Sequence, residues 1–130
     1  RGRDFKFARE NWKPLLDKYN VDLVLNGHDH TYARGHVPVR TSDGDASELG
    51  TVYVTSVSGP KQYSLDRKQM QTYRSQGYQS DVTAEQTQFF QVITIEDNKL
   101  KYVAYTVTGE EYDRVTINKE FVSGRKVLSD

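Results

Sequence analysis

Val21-Asp22-Leu23-Val24-Leu25-Asn26-Gly27-His28-Asp29-His30 is the stretch on which the reading of this chain turns. Its first half is a short, nearly unbroken apolar run over residues 21–25, the pattern of a strand buried on both faces. It stops abruptly in a polar turn, and in open α/β sheets ligands gather at the carboxyl ends of strands. Upstream, Phe5, Ala8, Trp12, Leu15, Leu16 and Tyr19 recur at spacings of three and four, which marks one face of an amphipathic helix over residues 4–19. Pro14 kinks that helix or opens a shorter second piece, and Asn20 is the stop signal. Trp12 is expected in the core. A helix feeding a buried strand is half of an α/β crossover.

Downstream the signals change. Residues 41–50 are turn chemistry, and Thr51 to Val57 alternates with β-branched residues as a strand does. Residues 58–88 are polar with sparse anchors and read as a long loop of low local stability. Phe89 to Ile95 and Leu100 to Val107 are alternating runs around the turn Glu96-Asp97-Asn98-Lys99, a β-hairpin. Tyr112 to Ile117 adds a further strand. The expected fold is α/β: an N-terminal helix and buried strand, then an antiparallel β meander.

The 130 residues make one domain, or a piece of one. Lys plus Arg and Asp plus Glu number 18 each, so the net charge is zero, which argues against a general nucleic-acid or anionic-membrane binder. No window approaches the roughly 18 consecutive apolar residues of a membrane-spanning helix. With no cysteine there is no disulfide, thiolate metal site or cysteine nucleophile. The N-terminus Arg1-Gly2-Arg3-Asp4 lacks an initiator Met and any signal-peptide pattern, so the chain is expected to be cut from a longer one.

All three histidines fall between 28 and 36. His28 and His30 flank one residue, so both imidazoles can reach a common centre, and neutral imidazole is the commonest side-chain metal ligand. Gly27 lacks a Cβ and lets the backbone pass close to a bound group. The plain alternative is an exposed polar turn. Two imidazoles are too few for a complete zinc site. His36 could add a third ligand and Asp29, Asp43 or Asp45 a fourth, although that spacing is not diagnostic.

From Trp12 through Asn26-Gly27-His28-Asp29-His30-Thr31-Tyr32-Ala33-Arg34 the chain closely resembles the last signature of the calcineurin-like metallophosphoesterases, and most of all their purple-acid-phosphatase branch. There, Gly-His-X-His follows a helix and a buried strand, with Tyr and Arg shortly beyond. The hairpin with Phe89-Phe90, Gly109 and the last strand also resembles the family's C-terminal end. The resemblance implies a four-layer α/β/β/α sandwich with a dinuclear centre of iron, zinc or manganese at the strand ends. It implies that His28 binds the second metal and His30 the first, and that phosphate esters are the substrate. Tyr32 and Arg34 match positions that support the ligands and shape the pocket rim, with ordinary loop packing as the alternative. Family members of this branch often work outside the cytoplasm.

The family's Asp-X-His and Asn-His motifs are absent, and the sole Gly-Asp, Gly44-Asp45, lies downstream of His30. Residues 1–130 are therefore expected to be the C-terminal portion of one phosphoesterase domain, with partial or no metal occupancy alone. Its expected partners are the upstream half of its own domain or another copy through open sheet edges. A competing reading is a non-catalytic β-rich interaction or carbohydrate-contacting module, motivated by Tyr102, Tyr105 and Tyr112.

Overall fold

In a computed structural model, residues 2–40 and 47–129 are described, with side chains from 6–39 and 48–129. Residues 41–46, most of the expected 41–50 turn, and with them Asp43 and Asp45, lie outside the described residues. The chain is α/β, with two mostly antiparallel four-stranded sheets and few helices.

The amphipathic stretch forms two helices, α1 (Gly2–Asn11) and α2 (Lys13–Lys18). The break falls at Trp12, and Pro14 sits in the first turn of α2, where its missing N–H has no helical partner to lose. Asn20 ends the helical region with φ +50°, a left-handed backbone that Asn tolerates. Its side-chain amide donates to the Gly124 carbonyl at 2.8 Å, and its own carbonyl accepts from Lys119 Nζ at 3.1 Å. Lys126 Nζ donates to the Val21 carbonyl at 2.9 Å. The entry to the next strand is thus tied to the far end of the chain.

That strand is β1 (Leu23–Asn26), followed by β2 (Tyr32–His36), β3 (Val39–Arg40), β4 (Ser47–Glu48) and β5 (Val52–Thr55). Then come α3 (Arg67–Ser75), β6 (Gln79–Ala84), β7 (Phe89–Glu96), β8 (Lys99–Thr106), β9 (Glu111–Lys119) and β10 (Lys126–Ser129). The first sheet has the order β1-β5-β2-β6, with β1 parallel to β5 and the other pairs antiparallel. The second is the consecutive antiparallel meander β10-β9-β8-β7, and β3 and β4 make a small separate ribbon. The sheets meet through Tyr32, Val52, Val54, Phe89, Tyr102, Ala104, Val115 and Ile117, all buried.

Several expectations are corrected here. β1 is an edge strand rather than one buried on both faces: among the described residues it pairs only with β5, and Leu25 is 57% exposed. Trp12 is 63% exposed, not core: it sits at the break between α1 and α2 and borders a cavity instead of packed neighbours. Residues 58–88 are not one loop. They hold α3, whose N-cap Asp66 accepts from the Gln69 amide at 3.0 Å, and β6, which pairs along β2. Tyr32 to His36, a stretch for which no strand was expected, form β2, the strand between β5 and β6. A Cβ at Gly35 would stand 2.2 Å from the Gln79 carbonyl oxygen, so only glycine admits this approach of β6. The β7–β8 hairpin and β9 form as their alternation indicates, with Asp97 at φ +49° in the turn.

Candidate functional site

β1 delivers the Gly27-His28-Asp29-His30 turn at its carboxyl end, and β2 leaves from it. The turn is tight: the Asp29 amide donates to the Gly27 carbonyl at 3.1 Å. The residue with the left-handed backbone is His28 (φ +77°), not Gly27. A Cβ at Gly27 would meet nothing within 4 Å, so the surrounding protein does not require glycine there. His28 is exposed and lines, with Gly27 and Asp29, a cavity of about 580 Å³.

His30 is oriented from both sides. Its Nδ1 lies 2.7 Å from the Lys61 carbonyl oxygen. A carbonyl only accepts, so Nδ1 carries the proton and the Nε2 lone pair remains for an electrophile. The Tyr63 amide donates to the His30 carbonyl at 2.9 Å, and the two rings lie 4.7 Å apart. An imidazole whose second nitrogen is bonded to a backbone carbonyl is the usual arrangement of a metal-binding histidine. Lys61 and Tyr63 were missed by sequence reasoning, because they contribute backbone groups, to which no residue type points.

Tyr32 and Arg34 lie on β2 with their polar ends between the sheets. The Tyr32 hydroxyl donates to Asp113 Oδ2 at 2.6 Å and lies 3.1 Å from the Tyr102 hydroxyl. Arg34 holds Asp113 with two bonds, Nε to Oδ2 at 2.7 Å and Nη2 to Oδ1 at 2.9 Å. Its Nη1 reaches Asp81 Oδ2 at 3.3 Å, and His36 Nδ1 lies 3.0 Å from that same oxygen. Burial alone would raise the Asp113 carboxyl; the Arg34 and Tyr32 hydrogen bonds and the Arg34 charge outweigh it and hold it below the usual carboxylate range. Burial, with Asp113 beside it, pushes the Tyr32 hydroxyl far up, so it stays a donor. These groups anchor, across the sheets, the strand that begins two residues after His30.

His36 stands at the far end of β2 and is engaged with Asp81, so the structure does not bring it to His28 and His30. Among the described residues, no three His, Asp or Glu side chains converge. Asp22 lies 3.0 Å from Lys119 Nζ and 3.8 Å from Lys126 Nζ, on the side of β1 where the chain enters. Arg67, Lys68 and Arg74 are exposed on α3. Tyr102 is fully buried, so it offers no surface for a ligand.

The chain is similar to two uncharacterized proteins of Mycobacterium tuberculosis, one from strain CDC 1551 / Oshkosh and one from ATCC 25618 / H37Rv. Each is 53% identical over 65 residues, covering 39% of this chain and 12% of the relative. The matched part is thus about an eighth of those longer polypeptides. No protein-family model matches the chain, and no solved structure matches it.

Proposed function

We propose that this chain is the C-terminal portion of a dinuclear-metal phosphoester hydrolase of the calcineurin-like type, within a four-layer sandwich that upstream residues complete. His28 and His30 are the metal ligands. The observation that carries the reading is the His30 Nδ1 bond to the Lys61 carbonyl, which leaves Nε2 as a donor at the carboxyl end of a strand. The donor set fits iron, zinc or manganese, all of which accept imidazole. When bound, the two ions would supply an activated hydroxide and charge stabilisation for in-line displacement at phosphorus. Tyr32 and Arg34 act by holding β2, and with it the turn, against the second sheet.

Ligand arithmetic makes the isolated chain inactive. Two neutral imidazoles bring no negative charge to offset two cations, and the carboxylates that do so must come from elsewhere. The work of the whole protein outside the cytoplasm belongs to the same resemblance. The test is made in the full-length polypeptide. His28→Ala and His30→Ala should each lower metal stoichiometry and reduce hydrolysis of a chromogenic phosphomonoester or diester at least about a hundredfold. Asp29→Asn should be mild. Full activity in both alanine variants would sink the reading and favour the non-catalytic module.

A further inference from the structure

Two helical faces in this fold look at each other across a cavity and are tied at one end, where Arg9 Nη1 donates to Oε1 of Gln76, the residue that ends α3. On α1 and α2, Arg9, Trp12 and Leu16 follow helical spacing; on α3, Asp66, Met70 and Tyr73 do the same. Both faces look into the cavity of about 580 Å³, whose floor is the outer side of the first sheet at Val24, Ala33 and Tyr53. Apolar side chains that converged to make a core would be covered, yet Leu16, Val24, Tyr53, Met70 and Tyr73 are all only half-buried. The volume falls within the roughly 300–1,000 Å³ of small-molecule sites. Aliphatic and aromatic side chains line its walls together with Arg9, Asp66 and Gln69 from the helices, and the His28 turn also borders it. Burial, with Asp29 and Asp66 beside it, pushes the Tyr73 hydroxyl up to about 12, so it stays neutral, and its ring stands edge-on to Tyr78 at 6.3 Å.

We propose that this cavity binds the aromatic ester group of a phosphoester whose phosphate lies at the histidine turn, on the His28 side that borders the cavity. The phosphate half rests on the hydrolase reading above; the aromatic half rests on the cavity alone. A planar ring suits the site because it brings large apolar area with little rotational freedom and can stack on Tyr73 and Trp12. An alkyl phosphate as small as methyl phosphate would leave the walls uncovered.

Trp12 is the one tryptophan of the chain and serves as the reporter. The full-length polypeptide is labelled with 5-fluorotryptophan, and the Trp12 fluorine line is assigned by its loss in Trp12→Phe. Phenyl phosphate and phenol should each shift that line saturably, while methyl phosphate and inorganic phosphate leave it in place. Tyr73→Ala should weaken phenol binding about fivefold, the worth of one aromatic contact. Tyr105→Ala, on the second sheet, should not. The phenol arm needs neither metal nor hydrolysis. A phenol response without turnover therefore upholds the cavity and removes the hydrolase reading. Turnover of phenyl phosphate with an unmoved Trp12 line overturns the cavity proposal, as does a line moved equally by methyl phosphate. A silent line in all arms, as when an upstream segment fills the space, also overturns it.

Discussion

His28 carries a β-carbon in a left-handed backbone, a conformation that costs an L-residue about 1–2 kcal/mol unless surroundings enforce it. Gly at this position should therefore keep or raise stability by up to about 1 kcal/mol, while Ala, which keeps the β-carbon, should not. Both remove the imidazole. Urea denaturation of His28→Gly and His28→Ala decides it; a His28→Gly variant clearly less stable than the parent would remove the argument for strain. Asp113 gives the second expectation at this scale. It is buried and held by Arg34 and Tyr32, so Asp113→Ala leaves the buried guanidinium with Asp81 alone, at 3.3 Å, and should cost about 3 kcal/mol. Tyr32→Phe removes one bond and should cost about 1–3 kcal/mol. The native Asp113 carboxyl lies below its unfolded value of about 3.9. Its contribution is thus full above about pH 4 and is lost as pH falls through the lowered native value. The stability gap between the parent and Asp113→Asn should narrow in acid; a gap that widens would reverse the sign.

At the level of elements, α3 hangs on its cap. It buries no residue, and Asp66 supplies the first-turn hydrogen bond, so Asp66→Ala should cost about 1 kcal/mol and speed amide exchange through Arg67–Ser75. Exchange unchanged in α3 would mean that its packing, not its cap, holds it. The sequence reading passed over α3 and its cap Asp66 because residues 58–88 are polar throughout and carry few apolar anchors. β2 was illegible for another reason. Tyr32, Arg34 and His36 gave no strand signal because the partners of their polar groups, Asp113, Asp81 and Tyr102, lie far along the chain. β6 is an edge strand of mixed polarity with no alternation to find. The β7–β8 hairpin was legible because its register follows from local alternation and a two-residue turn. Within the candidate site, His28 and His30 stood out by type and spacing, whereas the Lys61 carbonyl could not, since every residue has one.

Across the whole molecule, both sheets expose apolar residues on sides that face the core. Ile93 and Ile95 sit opposite Tyr102 and Leu100 in register and so share their inward face, yet they are 37% and 71% exposed. Leu25, beside Val54, is 57% exposed. Uncovered inward residues on edge strands invite another strand. The isolated chain should therefore associate at micromolar concentrations, and Ile95→Lys should reduce that association in sedimentation velocity. A monomer at high concentration would mean these edges are protected as they stand. The contrast between the two sheets also bears on the order in which they form. Among the described residues, strands β7 to β10 pair only with their sequence neighbours, while β5 must thread between β1 and β2, and β2 between β5 and β6. Neighbour pairing closes short loops and is fast; the interleaved sheet must close longer ones first. Of these two segments, the one made later is then the template on which the earlier one assembles. Until it emerges, the histidine turn has no scaffold, and a chaperone has its longest interval to act.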